Sequence, residues 1–166
     1  MSVDTALKQD YEYMVCVCSI TYNHEKYIRE CLEGIVMQQT TFPFISIVVD
    51  DASTDQTPSI ISEYAAKYPD IIHPILLKEN HYSQKKPKEP YFIPFQEKAK
   101  YVAFCEGDDY WTDPHKLQKQ VDALEKHPGC KACVHKVLRV NERGERTNKT
   151  YPSVSVKLGV LIQEDL

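Results

Sequence analysis

The fold is decided by a strand and a helix in succession, which begin with Met14-Val15-Cys16-Val17-Cys18-Ser19-Ile20-Thr21-Tyr22-Asn23. The run from Met14 to Ile20 is apolar and rich in strand formers, and it ends at polar residues. Asn23 is the predicted N-cap of a helix, because apolar residues recur beyond it at the spacing of one helix face. They are Ile28, Cys31, Leu32, Ile35 and Val36. A strand followed by an amphipathic helix predicts an α/β fold.

The alternation of strand and helix continues along the chain. A second strand is predicted over 44–49, and Thr57-Pro58 is predicted to cap the next helix, with proline at its first position. The third strand, over 71–77, is weaker because Pro74 favours the edge of a sheet. The segment 80–96 contains several prolines and polar clusters, so it is predicted to be mostly loop.

The remaining elements complete the pattern. A fourth strand over 101–105 precedes a helix that is capped by Asp113-Pro114 and ends at His127-Pro128-Gly129. Residues 130–151 resemble a β-hairpin whose turn is Glu142-Arg143-Gly144-Glu145. The sequence therefore predicts an α/β fold: a mostly parallel sheet flanked by helices, with a C-terminal hairpin.

Length and composition fit one globular domain. The chain has 166 residues, of which 42% are hydrophobic and 27% charged, and its formal net charge is -4. No nucleic-acid partner is expected, because such partners require clustered basic charge and the short cluster Lys85-Lys86-Pro87-Lys88 is predicted to be a solvated loop. Residues 1–13 form an N-terminal extension without the apolar segment of a secretion signal, and no later run is long enough to span a membrane. We expect a cytoplasmic domain over 14–166.

The cysteines indicate a reducing environment. The chain has six, mostly within apolar segments rather than in loops: Cys16, Cys18, Cys31, Cys105, Cys130 and Cys133. We therefore expect mostly reduced, buried thiols rather than a disulfide framework.

Polar clusters follow three of the predicted strands. They are Thr21-Tyr22-Asn23, Asp50-Asp51 and Glu106-Gly107-Asp108-Asp109. Ligands of parallel sheets bind outside the carboxyl ends of the strands, so we expect these clusters to meet in one crevice. For Asp50 and Asp51 an alternative remains, in which they cap their own turn through Ser53 and Thr54.

The acidic cluster has the ligand chemistry of a divalent cation site. Three carboxylates within four residues repel one another unless a positive charge lies among them, and oxygen ligands suit Mg²⁺ or Mn²⁺. A solvated acidic turn is the alternative. No glycine-rich phosphate loop is present in the sequence, so phosphate would be held by the metal. Tyr22 could then stack on a base, Asp51 could accept a hydrogen bond from a base N–H, and Asp108 or Asp109 could bind the cation. Ordinary packing is the alternative for Tyr22.

Three motifs together resemble the family 2 glycosyltransferases of GT-A fold. They are Val17-Cys18-Ser19-Ile20-Thr21-Tyr22-Asn23, Val48-Val49-Asp50-Asp51-Ala52-Ser53-Thr54-Asp55 and Cys105-Glu106-Gly107-Asp108-Asp109-Tyr110-Trp111-Thr112-Asp113-Pro114. The resemblance extends from about Met14 to Leu166. The continuation Lys116-Leu117-Gln118-Lys119-Gln120 is typical of bacterial members that build surface polysaccharides.

The resemblance implies a nucleotide-sugar site. It implies that Tyr22 and Asp51 bind the base, usually uridine, and that Glu106-Gly107-Asp108 occupies the Asp-x-Asp position, with a longer side chain at its first residue. Asp108 and Asp109 are then the metal contacts, for Mn²⁺ or Mg²⁺. The complete set of implied nucleotide-binding residues is Thr21, Tyr22, Asn23, Asp50, Asp51, Glu106 and Asp108.

The resemblance also implies an inverting transfer with a carboxylate as base, from a nucleotide-sugar donor to a saccharide or lipid-linked acceptor. In the family that base lies well downstream of the metal motif, so we expect it beyond Leu166, with Asp165 of Glu164-Asp165 as the alternative. The chain is then the donor-binding part of a longer enzyme, and peripheral membrane association would come from segments outside it.

The sequence leaves two other functions open. A nucleotidyltransferase would use a similar sheet, but it should carry a glycine-rich basic loop where this chain has Thr21-Tyr22-Asn23-His24-Glu25. A phospho-acceptor signalling module would use an acidic pair after its first strand, whereas Asp50-Asp51 follows the second.

Overall fold

The computed structural model of the chain describes residues 10–141, 145–151 and 160–161. The chain divides into two compact units, Met1–Leu117 and Gln118–Leu166. Glu164-Asp165, the alternative for the catalytic base, lies outside the described residues.

The first unit is built on a four-stranded parallel sheet. Its strands are β1 (Tyr13–Thr21), β2 (Phe44–Asp50), β3 (Ile72–Leu76) and β4 (Ala99–Phe104). Their order in the sheet is β3-β2-β1-β4, and each neighbouring pair is parallel. The predicted mostly parallel sheet is therefore confirmed. The chain adds strands on one side of β1 and then crosses to the other, so the strand order reverses between β1 and β4, where such sheets bind ligands.

Position in the sheet explains the composition of the strands. Every residue of β2 is buried, which matches its continuous apolar run between two parallel neighbours. β3 lies at the edge, as predicted from Pro74, because proline has no N–H to donate to a further strand.

The described residues form four helices: α1 (Ile28–Val36), α2 (Thr57–Lys67), α3 (Glu89–Gln96) and α4 (Lys116–Lys126). α1 confirms the predicted apolar face, since Ile28, Cys31, Leu32 and Ile35 are all buried. The predicted N-caps are wrong, because neither Asn23 nor Thr57 caps a helix with its side chain. α2 instead begins at Thr57, whose amide donates to Asp55 Oδ1 at 2.9 Å.

Helix α3 corrects the predicted loop over 80–96. Pro90 lies in its first turn, where the missing N–H would have no helical partner anyway. Phe92 is buried in a core cluster with β1 and β2, and Phe95 packs against the same cluster. Burial of these aromatic side chains stabilises a helix that the local prolines disfavour, because tertiary packing outweighs propensity.

The second unit contains two antiparallel pairs. β6 (Val137–Val140) pairs with β7 (Arg146–Tyr151), which confirms the predicted hairpin. β5 (Ala132–Cys133), however, pairs with β8 (Val160–Leu161). The predicted first hairpin strand is interrupted over 134–136, and its two halves therefore find different partners. Across the described residues, no helix has both the length and the apolar character needed to cross a bilayer.

Candidate functional site

Backbone hydrogen bonds bring the ends of β1, β2 and β4 to one edge of the sheet. The Asp51 amide donates to the Thr21 carbonyl at 2.9 Å, and the Gly107 amide donates to the Ile20 carbonyl at 2.9 Å. These bonds continue the pairing of β1 beyond both neighbouring strands. The expected meeting of the three polar clusters is therefore present at the carboxyl edge.

Asp50 is used inside its own turn. Its side chain accepts hydrogen bonds from the Ser53 amide at 3.0 Å and from the Ser53 hydroxyl. The residue is buried. Asp50 therefore has the turn-capping role that was the alternative prediction. It caps the turn through Ser53 and not through Thr54.

Asn23 connects two loops at the same edge. Its side-chain oxygen accepts a hydrogen bond from the Thr54 amide at 2.8 Å, and its own amide donates to the Ser53 hydroxyl at 2.8 Å. Its φ of 53° lies in the left-handed region, which asparagine tolerates better than most residues. The side chain thus holds the loop after β1 against the loop after β2.

Asp51 is a buried carboxylate at the edge with three nearby donors. It accepts from the His81 amide at 2.8 Å and the Tyr82 amide at 3.1 Å, and Lys88 Nζ lies 3.1 Å from Oδ2. Burial alone raises the pKa of this carboxyl, but the two amides and the Lys88 ammonium outweigh it and lower the pKa below its usual value. Asp51 is therefore held ionised although it is 1% exposed.

The segment 80–88 packs beside Asp51, and the sequence did not predict this contact. The Asn80 side chain donates to the Asp51 carbonyl at 3.1 Å. Lys88 Nζ lies 5.2 Å from the centre of the Tyr82 ring, and an open recess of about 610 Å³ is lined by 82–83 and 85–89. In the sequence, this segment was visible only as the basic cluster Lys85-Lys86-Pro87-Lys88, which was predicted to be a solvated loop. In the structure, Lys88 pairs with the buried carboxylate of Asp51.

Tyr22 and Thr21 differ sharply in exposure at the end of β1. Tyr22 is 44% exposed, so its ring is available at the surface rather than packed in the core. Thr21 is buried, and its hydroxyl has no hydrogen-bond partner among the described residues. The Nδ1 atom of His24 is likewise buried and unpartnered within that part of the chain.

The acidic cluster forms a tight turn. The Asp109 amide donates to the Glu106 carbonyl at 2.9 Å, which closes the turn, while the residues Glu106, Asp108 and Asp109 are exposed. Partial desolvation of the Asp109 carboxyl by its neighbours, and then the charge of Asp108, raise the pKa of Asp109. Repulsion between these carboxylates is the condition that a bound cation would relieve.

The turn requires glycine at its second position. A Cβ atom on Gly107 would lie 2.5 Å from the Thr21 Cβ and Oγ1 atoms and 3.0 Å from His24 Nδ1. The unpartnered polar atoms of Thr21 and His24 thus lie directly behind the acidic turn. Polar atoms without partners and a backbone free of Cβ are features that suit an ion or ligand site.

The donor set fits a divalent cation that shares its shell with a ligand. Within the described ranges, no group of three or more His, Cys, Asp or Glu side chains is arranged to hold a metal by itself. Mg²⁺ and Mn²⁺ in phosphate chemistry need only one or two protein carboxylates, and phosphates and water complete the shell. Asp108 and Asp109 would hold such an ion.

Two thiols lie beneath the same turn. Cys31 Sγ lies 3.4 Å from the Glu106 carbonyl oxygen, and Cys105 Sγ lies 3.6 Å from the Asp109 carbonyl oxygen. All six cysteines are free, and Cys130 and Cys133 are the two that are not fully buried. The prediction of mostly buried thiols is confirmed, but the contact of two of them with the acidic turn was not visible in the sequence.

Comparison with known proteins gives the family. The model described as glycosyl transferase family 2 matches residues 16–85. The β-N-acetylglucosaminyltransferase TarS of Staphylococcus aureus, solved with UDP-GlcNAc, superposes with a TM-score of 0.54 at 31% identity over 69% of this chain and 32% of that one. The chain belongs to the family 2 glycosyltransferases. Its fold class is GT-A, as the three motifs implied.

Two further relatives show what share of a family member's length this chain covers. The mannosyltransferase PcManGT of Pyrobaculum calidifontis, solved with GDP-Man and Mn²⁺, has a TM-score of 0.55 at 29% identity over 75% of this chain and 36% of that one. The uncharacterised protein Rv1520 of Mycobacterium tuberculosis is 46% identical over 136 residues, which are 82% of this chain and 38% of that protein. The chain thus spans less than half the length of the relatives it matches.

Proposed function

We propose that this chain is the donor-binding part of a metal-dependent, inverting glycosyltransferase. The observation that carries the proposal is the meeting of a buried, ionised Asp51, an exposed Tyr22 and the acidic turn at one edge of the sheet. The donor is a nucleotide sugar, UDP-linked in the first instance. The acceptor is a saccharide or a lipid-linked saccharide of a surface polysaccharide.

The base would be bound at the ends of β1 and β2. Tyr22 offers an exposed ring on which a base can stack. Asp51 offers acceptor capacity beside it: Oδ1 receives the single amide of His81, while Oδ2 is shared by Tyr82 and Lys88. Uracil presents an N–H at its N3 position, so it can donate to the remaining lone pair of Oδ1. Thr21, Asn23 and Asp50 would shape this end of the site through the two loops that they hold.

The diphosphate would lie toward the end of β4. Asp108 and Asp109 hold the cation in this proposal, and Glu106 faces the ribose or the same ion. The cation, Mn²⁺ or Mg²⁺, neutralises the diphosphate as it leaves the sugar. The Mn²⁺ and GDP-Man bound to PcManGT and the UDP-GlcNAc bound to TarS support this assignment.

Transfer itself requires a group that deprotonates the acceptor hydroxyl. The acceptor oxygen would attack the anomeric carbon as the bond to the diphosphate oxygen breaks, and its proton would pass to a carboxylate. We place that base beyond Leu166. The proposed domain organisation is accordingly an N-terminal extension over 1–13 and a nucleotide-sugar-binding domain over 14–166 that acts in the cytoplasm.

The phospho-acceptor alternative has less support. Asp50 and Asp51 are each 1% exposed, and the side chains of both are engaged by neighbouring donors. Phosphorylation of either carboxylate would turn one of its oxygens into a poorer, uncharged acceptor and so weaken the hydrogen bonds that hold it. The glycine-rich loop that a nucleotidyltransferase would need is also missing from the sequence after β1.

The melting temperature tests the proposal. A ligand that binds the folded chain alone raises the melting temperature, so MnCl₂ with UDP should raise it more than either compound alone. Asp108→Ala should abolish that extra rise, because it removes one of the two proposed metal contacts. Asp70→Ala is the matched control, since Asp70 is an exposed acidic residue in the turn after α2, and it should leave the rise unchanged. Absence of any rise with UDP, GDP and Mn²⁺ would reject the proposed function.

A further inference from the structure

Two buried thiols support the turn that carries the three carboxylates. Cys31 lies on the buried face of α1, and Cys105 directly follows β4. Both are almost completely buried, at 0% and 3% exposure. Their sulfur atoms are 3.9 Å apart, so one side-chain pair lies below the whole turn.

Each thiol reaches a carbonyl at one end of the turn. The Cys31 thiol donates to the Glu106 carbonyl at 3.4 Å, and the Cys105 thiol donates to the Asp109 carbonyl at 3.6 Å. The Glu106 carbonyl also accepts the Asp109 amide that closes the turn. The thiols therefore fix the first and last residues of the segment, while the carboxylates themselves remain exposed.

We propose that Cys31 and Cys105 are positioning residues that hold the acidic turn in its metal-binding conformation before a cation arrives. The inference rests on the proposed function. Without a cation, repulsion among the carboxylates favours a more open turn, and exposed side chains offer little to oppose it. Anchors on the buried side of the backbone can oppose it, and preorganisation lowers the cost of ordering the site when the ion binds.

The chain supplies a matched control in a second thiol pair. Cys16 and Cys18 on β1 are also buried, at 0% and 4% exposure, and their sulfur atoms are likewise 3.9 Å apart. Among the described residues, the side-chain hydrogen bonds of this pair are with each other and with Gln96, and none is with the acidic turn. Cys16→Ala should therefore lower stability as a core truncation does, without disturbing the turn.

Hydrogen exchange tests the positioning role without any ligand. In the 166-residue chain, exchange of the Asp109 amide reports closure of the turn, and it can be measured by NMR. Loss of a typical hydrogen bond changes a local equilibrium about fivefold, so Cys31→Ala and Cys105→Ala should each speed this exchange by about that factor. Cys16→Ala should leave the exchange rate of the Asp109 amide within about twofold of the wild-type rate. Equal exchange in all three variants would overturn the inference.

Metal affinity provides the second test, together with rescue by a conservative variant. In the presence of UDP, Cys105→Ala should weaken Mn²⁺ binding about three- to tenfold by calorimetry, whereas Cys105→Ser, which keeps a donor, should recover part of the loss. A serine variant no better than alanine would reject hydrogen bonding as the cause. If the native chain bound neither Mn²⁺ nor UDP, the proposed function would fail, and hydrogen exchange would still decide the role of the thiols.

Discussion

Gly107 packs against Thr21 so closely that a Cβ atom on the glycine would lie 2.5 Å from the threonine Oγ1. The contact joins the acidic turn after β4 to the end of β1, at the point where the strand order reverses. It is also where Thr21 and His24 keep buried polar atoms without partners among the described residues. A single missing methyl group thus decides how near the carboxylates can lie to the sheet.

Gly107→Ala should destabilise the chain and distort the acidic turn. The new methyl group meets Thr21 on a packed strand, and forcing an extra carbon into such a place costs about 1–3 kcal/mol. Denaturant unfolding measures the loss, and the rise in melting temperature with Mn²⁺ and UDP should shrink as well. Gly129→Ala is the control, because nothing lies within 4 Å of its Cβ position. Equal stabilities of the two variants would contradict the close packing.

Asp51→Asn should remove an acid-sensitive contribution to stability. Because the amides of His81 and Tyr82 and the Lys88 ammonium lower its pKa in the folded chain, Asp51 stabilises the fold above the unfolded pKa of about 4. This contribution to the free energy of unfolding is lost as the pH falls from about 4 through the lower pKa that Asp51 has in the folded chain. At pH 7 we expect the variant to lose about 2 kcal/mol, the scale of hydrogen bonds to a charged group.

Unfolding of both proteins across pH 2 to 7, about the range in which Asp titrates, checks this expectation. The difference in the free energy of unfolding between wild type and Asp51→Asn should become smaller toward low pH. Asp70→Asn, at an exposed turn, should show no such narrowing. A constant difference between wild type and Asp51→Asn at every pH would show that Asp51 contributes no ionised contact.

Tyr64→Phe should change stability at high pH. Burial, and then the hydrogen bond from its hydroxyl to the Glu33 carboxylate, raise the pKa of Tyr64 to about 12. The neutral phenol therefore stabilises the fold fully below the unfolded pKa of about 10, and this contribution is lost as the pH rises toward the folded value. The variant should be less stable than wild type by about 1 kcal/mol at pH 7, and it should gain stability relative to wild type as the pH rises above about 10.

Alkaline unfolding monitored by circular dichroism measures the effect of Tyr64. Tyr82→Phe serves as the control, since Tyr82 is 80% exposed. The control should unfold as the wild type does over the whole range. If the free energy of unfolding of wild type instead rose relative to that of Tyr64→Phe with increasing pH, a raised pKa of Tyr64 in the folded chain would be contradicted.

Tyr22→Ala should weaken UDP binding, whereas Tyr22→Phe should not. Stacking of a base on an aromatic ring is worth about 1–3 kcal/mol by alanine substitution, and phenylalanine keeps the ring. Tyr22 is half-exposed, so its removal should leave the free energy of unfolding nearly unchanged. Calorimetric titration with UDP and Mn²⁺ separates the two variants. Equal affinities would place the base elsewhere.

The elements of the sheet follow directly from local pattern. The apolar runs that became β1 and β2, the helical spacing of α1, and the position of Pro74 at a sheet edge all have local causes that are visible in one stretch of sequence. α3 is the exception, because Pro90 and Pro94 disfavour a helix locally. Its stability comes from the burial of Phe92 against β1 and β2, which are distant in sequence.

In the candidate site, too, some features follow from local sequence and others depend on tertiary contacts. Tyr22 and the acidic turn were predicted because strand ends of a parallel sheet meet at one edge, which is a rule of topology. The role of Asn23 was not predicted, since its partner Thr54 lies beyond the next strand. The same holds for Lys88, whose ion pair with Asp51 depends on the path of the segment 80–88.

By itself, the sequence determined the alternating strands and helices, the polar residues at the strand ends and the family. It could do so because hydrophobic period and motif spacing are local properties. The tertiary structure alone decided that Lys88 forms an ion pair with Asp51, that Gly107 must have no side chain beside Thr21, and that Cys31 and Cys105 lie beneath the acidic turn. These contacts join residues far apart in the chain, and packing rather than pattern brings them together.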